Sequence, residues 1–488
     1  MSFRWRVIIL FLVTSAACAV YLFASARSGT LGFPLDDAWI HQTYARNLGL
    51  HGEWAYLPGQ PSAGSTAPLW TAFLALGHTL RLGPYLWTFG LGWLLLFALS
   101  LLGMSTFTRL CPTGRRFQLA AGILLALEWH LVWAAVSGME TLFIAALNLL
   151  VFRLLLDERP PWITLGILVG LSAWVRPDGI TLLAPLLLVL LMQHSSRREK
   201  TRAAASLGVG FALLFLPYLT FNRIIAGVWW PNTYFAKQAE YAVELESSLL
   251  SRLSEQALLP LVGVGVLLLP GFLYLLVKSI EGRAWVRLAG ALWILGFLGL
   301  YAMRLPVTYQ HGRYVMPVMP VYFLWGLAGL VELLEALPAG SLRRILGWTW
   351  GLSLAVLLGV FFVLGAGAYQ RDVGFIETEM VQTARWVAEN TPPQARVAAH
   401  DIGALGYFSQ RELLDLAGLV SPEVIPFIRD EALLEAHLDA QQATYLVTFP
   451  GWYPRLTRHA ELVYQTDGQI SPELGGENMA VYRWVQAP

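Results

Sequence analysis

The run Val7-Ile8-Ile9-Leu10-Phe11-Leu12-Val13-Thr14-Ser15-Ala16-Ala17-Cys18-Ala19-Val20-Tyr21-Leu22-Phe23-Ala24-Ser25 holds nineteen residues and no charge. About 20 apolar residues in a helix span the hydrocarbon of a bilayer, so this stretch reads as a membrane crossing. Just beyond it stands Pro34-Leu35-Asp36-Asp37-Ala38-Trp39-Ile40-His41, where two carboxylates are adjacent in sequence next to a membrane surface. The first stretch sets the fold class and the second marks where its chemistry is expected.

The whole chain repeats the first pattern. Of its 488 residues 56% are hydrophobic and only 13% charged. A water-soluble domain carries about 25% charged residues, so the deficit identifies an integral membrane protein. Thirty-three Lys and Arg against 32 Asp and Glu leave a net charge of +1, which excludes a nucleic acid as main partner. Cys18 and Cys111 lie in unlike surroundings and imply neither a disulfide framework nor a thiolate metal site.

Eleven stretches qualify as candidate spans: Val7–Ser25, Pro84–Phe107, Phe117–Val136, Thr141–Leu156, Trp162–Val175, Ile180–Met192, Ala203–Phe221, Leu258–Val277, Leu288–Met303, Val315–Leu334 and Leu346–Ala368, the fourth to sixth of them short. With the N-terminus inside, the cytoplasmic segments hold sixteen Lys and Arg and the longer outer loops nine, as the positive-inside rule requires. This predicts a multi-pass plasma-membrane protein with a cytoplasmic N-terminus and everything after residue 368 outside. If Val7–Ser25 were instead a cleaved signal peptide, the mature chain would begin near Ser28.

Two outer segments are long. Residues 27–83 form the first outer loop of a membrane domain over 1–368, with short amphipathic stretches at Ala38–Leu48 and Pro68–Leu82 suited to the interface. Residues 369–488 mix polar helical patterns (Ile376–Asn390, Pro422–Gln441) with β-rich runs (Tyr445–Phe449, Glu461–Gln465, Met479–Val485) and read as a small extracytoplasmic α/β domain. The predicted fold is thus an α-helical polytopic membrane protein of about eleven transmembrane helices with a small C-terminal α/β domain.

Several outer residues carry chemistry. Adjacent carboxylates near low dielectric raise one another's pKa, which suits Asp36 or Asp37 to proton abstraction or cation binding; a helix start at the same place is the alternative reading, since Asp is a favoured N-cap. Glu140, in Ser137-Gly138-Met139-Glu140, stands at the mouth of the fourth span, where a first-turn role is equally available. Glu128 and His130 fall inside the third span, where ionisable groups are costly and face a cavity or pair with polar groups on neighbouring spans. Arg176-Pro177-Asp178-Gly179 is a tight turn with a built-in ion pair, explicable by its Pro and Gly alone. Lys237, His311 and Arg313 converge on the outer face and could bind a lipid phosphate or merely snorkel. The chain has no GxxxxGK[ST], GxSxG or HExxH motif, which weakens readings as an ATP-driven transporter, serine hydrolase or zinc protease.

In this order, the outer motifs resemble those of the C-type (GT-C) polytopic membrane glycosyltransferases that use polyprenyl-phosphate sugars, within them the mycobacterial cell-wall arabinofuranosyltransferase and protein mannosyltransferase-like branches. The resemblance rests on Asp36-Asp37-Ala38-Trp39-Ile40, Tyr44-Ala45-Arg46-Asn47, Pro58-Gly59, Gly64-Ser65-Thr66-Ala67-Pro68-Leu69-Trp70, Gly138-Met139-Glu140-Thr141, Arg176-Pro177-Asp178-Gly179, and Arg313-Tyr314 with Pro317 and Pro320. The tail's Asp401-Ile402-Gly403 and Asp415-Leu416-Ala417-Gly418-Leu419 look like the extracytoplasmic domain of some members. Thr43 and Ala63 depart from the pattern, and His41 takes no role from it.

The resemblance implies an inverting hexosyl or pentosyl transfer at the outer face, with Asp36 as base and polyprenyl phosphate leaving. It further implies Asp37 and Glu140 orienting the acceptor or holding a divalent cation, and Lys237, His311 and Arg313 on the donor phosphate, supported by Arg46, Arg176 and Asp178. The implied partners are the bilayer, a polyprenyl-phosphate sugar donor and a glycan, lipid or protein acceptor of the cell envelope. Rival readings are a lipid or sugar carrier that performs no chemistry, and a scaffold. A carrier would place more ionisable groups at mid-membrane.

Overall fold

A computed structural model describes residues 2–27, 29 and 31–485. The alternative cleavage point near Ser28 lies outside these residues. The body opens with α1 (Phe3–Arg27), whose buried residues Leu10, Thr14, Ala17, Cys18, Tyr21 and Ser25 recur at helical spacing and form one stripe, the remainder being left for lipid. Then come α2 (Asp37–His51), a two-stranded ribbon β1 (Ala55–Leu57) and β2 (Gln60–Pro61), α3 (Pro68–Thr79) and α4 (Pro84–Leu110). Proline at the first helical position starts both α3 and α4.

α5 (Gln118–Leu127) and α6 (Trp129–Ala135) are two halves of one path bent by 57° at Glu128. The Glu128 carboxylate accepts the Leu131 N–H at 3.2 Å and lies 2.8 Å from His130 Nδ1. These two buried ionisable residues therefore close a helix break and satisfy one another. α7 (Thr141–Leu155), α8 (Trp162–Val175), a 3-10 segment Pro177–Leu182 with α9 (Leu183–Met192), and α10 (Arg197–Ala226) follow. Ser196 and Glu199 build a reciprocal capping box on α10. Next are α11 (Asn232–Glu240), α12 (Leu249–Leu258), α13 (Gly265–Glu281) and α14 (Trp285–Arg304). The path through α12 turns by 107° into α13 near Gly263, whose φ of 84° favours glycine.

Among the described residues six helices are long and apolar enough to cross a membrane, and two bent pairs raise that to eight. Reaching the expected eleven requires counting the short apolar helices Thr141–Leu155, Trp162–Val175 and Pro177–Met192 as well. Where helices cross closely the residues are small: Gly271 of α13 meets Gly326 and Gly329 of the helix Met319–Ala336 at backbone distance.

Of the two stretches expected to lie in the membrane interface, that of α3 keeps an exposed apolar face of Phe73, Leu76 and Leu80, whereas α2 does not lie on the surface. α2 buries nine of its fifteen residues, Trp39 and Tyr44 completely, because α3 covers one side and the C-terminal region another.

That C-terminal region is a five-stranded sheet in the order β4-β3-β5-β7-β6, built from β3 (Arg396–Ala399), β4 (Glu412–Asp415), β5 (Tyr445–Thr448), β6 (Ala460–Gln465) and β7 (Ala480–Trp484). β3 pairs parallel with β4 and β5, while β7 pairs antiparallel with β5 and β6. The region has an apolar cluster of its own around Leu416, Leu434, Leu446, Leu456 and Trp484. Its other residues, including Val397, Ile402 and Val481, belong to the same cluster as the membrane body. The helix Ser341–Phe375 passes residue 368 without interruption and continues through Ile376–Val381 into Gln382–Asn390.

Candidate active site

Turns between the short outer helices converge with the N-terminus of α2 on a largely apolar cavity of about 580 Å³. Its charged lining is Asp37, Glu140, Arg176, Asp178, Lys237, Arg304 and Arg313, with His41, Tyr301 and Tyr314 between them. These charges sort onto two walls.

The first wall is largely paired within itself, though Glu140 Oε2 has no hydrogen-bond partner. Arg176 reaches both Asp178 oxygens at 2.9 and 3.3 Å and donates to Tyr301 Oη at 2.7 Å, and the Tyr301 hydroxyl donates to Asp178. Glu140 Oε1 lies 3.9 Å from Arg176 Nη1, and Oε2 lies 3.6 Å from His41 Nε2. The far nitrogen of His41 sits 3.1 Å from both Ser65 and Thr71 hydroxyls, which fixes the ring. Burial pushes the His41 pKa down, so the imidazole is neutral at pH 7.

The second wall is open. Arg313, only 4% exposed, pairs with Asp37 and donates from Nη2 to Tyr314 Oη at 3.0 Å, while its Nε and Nη1 have no partner. An unpaired buried guanidinium donor is costly unless a ligand takes it. Lys237 Nζ lies 3.1 Å from Glu240 Oε2. Burial opposes it, yet Arg313 and Lys237 hold the Asp37 carboxyl well below the usual carboxylate range, and Lys237 in turn is held charged by Glu240 and Asp37.

Asp36, the expected base, does not line this cavity. It occupies the N-cap position of α2 without a capping hydrogen bond, and its carboxylate instead accepts the N–H groups of Gly403 at 2.6 Å and Ala404 at 2.7 Å. Adjacent residues at a helix start point apart, so Asp37 faces the cavity and Asp36 faces the C-terminal region. A Cβ at residue 403 would collide with Asp36, so glycine permits this approach. Burial, then the nearby Asp401 and Asp37, raise the Asp36 pKa despite the two N–H bonds.

Two further expected residues are elsewhere. Arg46 donates to the carbonyls of Tyr407 at 2.7 Å and Gly406 at 3.3 Å and stacks on the Tyr407 ring, joining α2 to the C-terminal region. His311 is turned away by left-handed backbone at Gln310 and His311, with φ of 54° and 57°. Its Nε2 lies 2.7 Å from Asp372, edge-on to Trp129 and Trp133, so it does not join Arg313 in the cavity. A divalent cation finds no donor set here: Asp37 is committed to Arg313 and Glu140 to Arg176 and His41. Among the described residues no group of three or more His, Cys, Asp and Glu is placed to hold a metal.

The C-terminal region brings Asp401 and Asp415 of its expected motifs together with His400, which the sequence did not mark. Carboxyl ends of parallel strands are where open α/β sheets present their functional groups. Here β3 ends at His400-Asp401 and β4 at Asp415, and His400 Nε2 lies 3.4 Å from Glu240 Oε1.

Residues 370–482 match a family described only as a domain of unknown function, DUF8728. No functionally curated protein sequence matches the chain. Among solved structures, the chain is similar to ArnT from Cupriavidus metallidurans bound to undecaprenyl phosphate, at 15% identity and TM-score 0.62 over 100% of this chain and 99% of that one. It is also similar to the oligosaccharyltransferase AglB of Archaeoglobus fulgidus in complex with an inhibitory peptide and a dolichol-phosphate, at 12% identity and TM-score 0.60 over 91% of this chain and 69% of that one. A third is the mycobacterial arabinofuranosyltransferase AftD, at 15% identity and TM-score 0.50 over 99% of this chain, which spans 42% of that protein. The chain therefore has the GT-C fold, that of multi-pass membrane glycosyltransferases.

Proposed function

We propose that this protein transfers a sugar, with inversion, from a polyprenyl-phosphate donor to an acceptor hydroxyl at the outer face of the plasma membrane, the N-terminus being cytoplasmic and the C-terminal region outside. The observation that carries the reading is Arg313: buried at an apolar cavity beside Lys237, with two guanidinium donors unpaired. That combination suits a phosphate whose lipid stays in the bilayer. The phosphate-bearing lipids bound by ArnT and AglB fit the same reading.

In the reaction, the acceptor oxygen bonds to the anomeric carbon from the side opposite the phosphate. The bond from that carbon to the phosphate oxygen breaks, its electron pair leaves with polyprenyl phosphate, and the acceptor proton passes to Asp36. The leaving phosphate gains one negative charge, which Arg313 and Lys237 meet in a dry setting. Asp36 is half-buried outside the donor cavity, its carboxylate held by the Gly403 and Ala404 N–H groups, and a pKa raised toward neutrality supports it as the base. Asp37 holds Arg313, and Glu140, Arg176 and Asp178 shape the donor side.

Purified protein given a synthetic polyprenyl-phosphate sugar and membrane-derived acceptor releases free polyprenyl phosphate. Asp36→Asn lowers that rate by about 10²–10⁴-fold while leaving polyprenyl-phosphate binding intact. No release by the wild type overturns the reading, and full turnover by Asp36→Asn removes Asp36 as the base.

A further inference from the structure

The turn after β3 ties together two elements that face each other across the cavity mouth. Its Gly403 and Ala404 amides hold Asp36 at the start of α2, and its His400 holds Glu240 at the end of α11. Glu240 is the direct partner of Lys237, the only cavity residue carrying a flexible ammonium. α11 is nine residues long, and besides Glu240 the ammonium's local contact is the Tyr241 ring at 5.6 Å. Four carbons of side chain give Lys several orientations, and a carboxylate that is itself free to rotate would fix none of them. Here the carboxylate is not free. His400 Nε2 faces Glu240 Oε1 at 3.4 Å, and His400 Nδ1 is locked at 2.7 Å by the hydroxyl of Tyr453, which is 6% exposed. The result is a chain of contacts from the sheet to the cavity: Tyr453, His400, Glu240, Lys237.

We propose that His400 is a positioning residue of the donor site: through Glu240 it fixes the Lys237 ammonium where the donor phosphate binds, so the C-terminal domain of unknown function completes the site. This rests on the donor-phosphate reading above. The imidazole also apportions charge. When cationic, His400 shares Glu240 with Lys237 and leaves more of the ammonium's field for phosphate; when neutral, it leaves Glu240 wholly to Lys237. The groups facing His400 are Glu240 and Lys237 of α11, Asp401 of its own turn, Tyr453 and Trp452, and Asp415 at the end of β4, while Asp36 and Asp37 at the start of α2 act on Asp401. Burial disfavours the cation, but Glu240 and Asp401 outweigh it and raise the His400 pKa. The cationic state is therefore present at low pH and lost as pH rises through that raised value.

The test uses the full-length protein in lipid nanodiscs. Binding of a short polyprenyl monophosphate to the wild type weakens several-fold, on the order of tenfold, between about pH 6 and about pH 9. In His400→Gln the low-pH binding is already weak, and the profile over the same range becomes that of the phosphate alone. A second measurement needs no ligand. Lys237 is one of three lysines in the chain, with Lys200 and Lys278, so acylation at each is separable by peptide mass spectrometry. In His400→Gln, acylation of Lys237 changes by more than about threefold against the exposed Lys278, while Lys200 does not change. Glu240→Gln breaks the same link from the other side and carries the same expectations if His400→Gln does not fold. Unchanged Lys237 reactivity together with an unchanged binding profile overturns the proposal. If the wild type binds no polyprenyl phosphate but Lys237 reactivity still responds, the donor reading fails while the link from His400 to Lys237 stands.

Discussion

The two walls of the cavity use the same residue types to opposite ends. On one, Arg176 spends its guanidinium on Asp178 and Tyr301, with Glu140 near it, Asp178 coming from the segment Pro177–Leu182, Glu140 from the start of α7 and Tyr301 from the end of the long helix α14. On the other, Arg313 has one carboxylate, one tyrosine and two idle donors, and Lys237 is reached from the C-terminal sheet. A buried network whose donors are largely taken, as at Arg176, holds shape even though Glu140 Oε2 is left without a hydrogen bond, because a ligand would have to displace existing bonds. An unsaturated one leaves donors for a ligand. The difference assigns Arg176 to architecture and Arg313 to binding, although sequence motifs present them alike.

That contrast can be broken in three ways. Removing Arg176 as Arg176→Met strands Glu140 and Asp178 without their cation, and a broken buried pair costs about 3–5 kcal/mol, read as a lower unfolding midpoint. Arg313→Gln keeps the fold, since its partner Asp37 is 26% exposed and can hydrate, but weakens polyprenyl-phosphate binding by about 1.5–3 kcal/mol in direct titration. If Arg313→Gln unfolds the protein while Arg176→Met binds poorly, the two walls have been assigned the wrong way round. His311→Asn, bonded to Asp372 away from both walls, shifts the same binding constant by less than about 0.5 kcal/mol; a larger loss would put His311 back at the phosphate.

Much of this was legible from residue order. Long charge-free runs such as those of α1, α4 and α10 announce a membrane body because only helices satisfy backbone polar groups in lipid. The outer motifs do gather Asp37, Glu140, Arg176, Asp178, Lys237 and Arg313 on one cavity. Other features were hidden for physical reasons. β3 and β4 are four residues each, and β3 is covered on both sides by other strands, so neither shows the alternation that marks a half-exposed strand. The pairing of Glu240 with His400 spans 160 residues and has no local signature. His311 is two positions from Arg313, but two left-handed residues send its ring the other way. Asp36 and Asp37 read as one carboxylate pair, whereas a helix start divides neighbouring side chains between different faces.

The helix running from Ser341 through Phe375 and on to Asn390 bears on how the C-terminal region can behave. A domain hung on a flexible linker samples a volume, and its local concentration at a target falls as the linker lengthens. A domain carried on an uninterrupted helix has no such freedom: its height above the bilayer and its rotation about the bilayer normal are those of the span beneath it. Turning the span by one residue, through an insertion near Gly367, would swing the sheet by about 100° and carry His400 off Glu240 without altering a single residue of either domain's core.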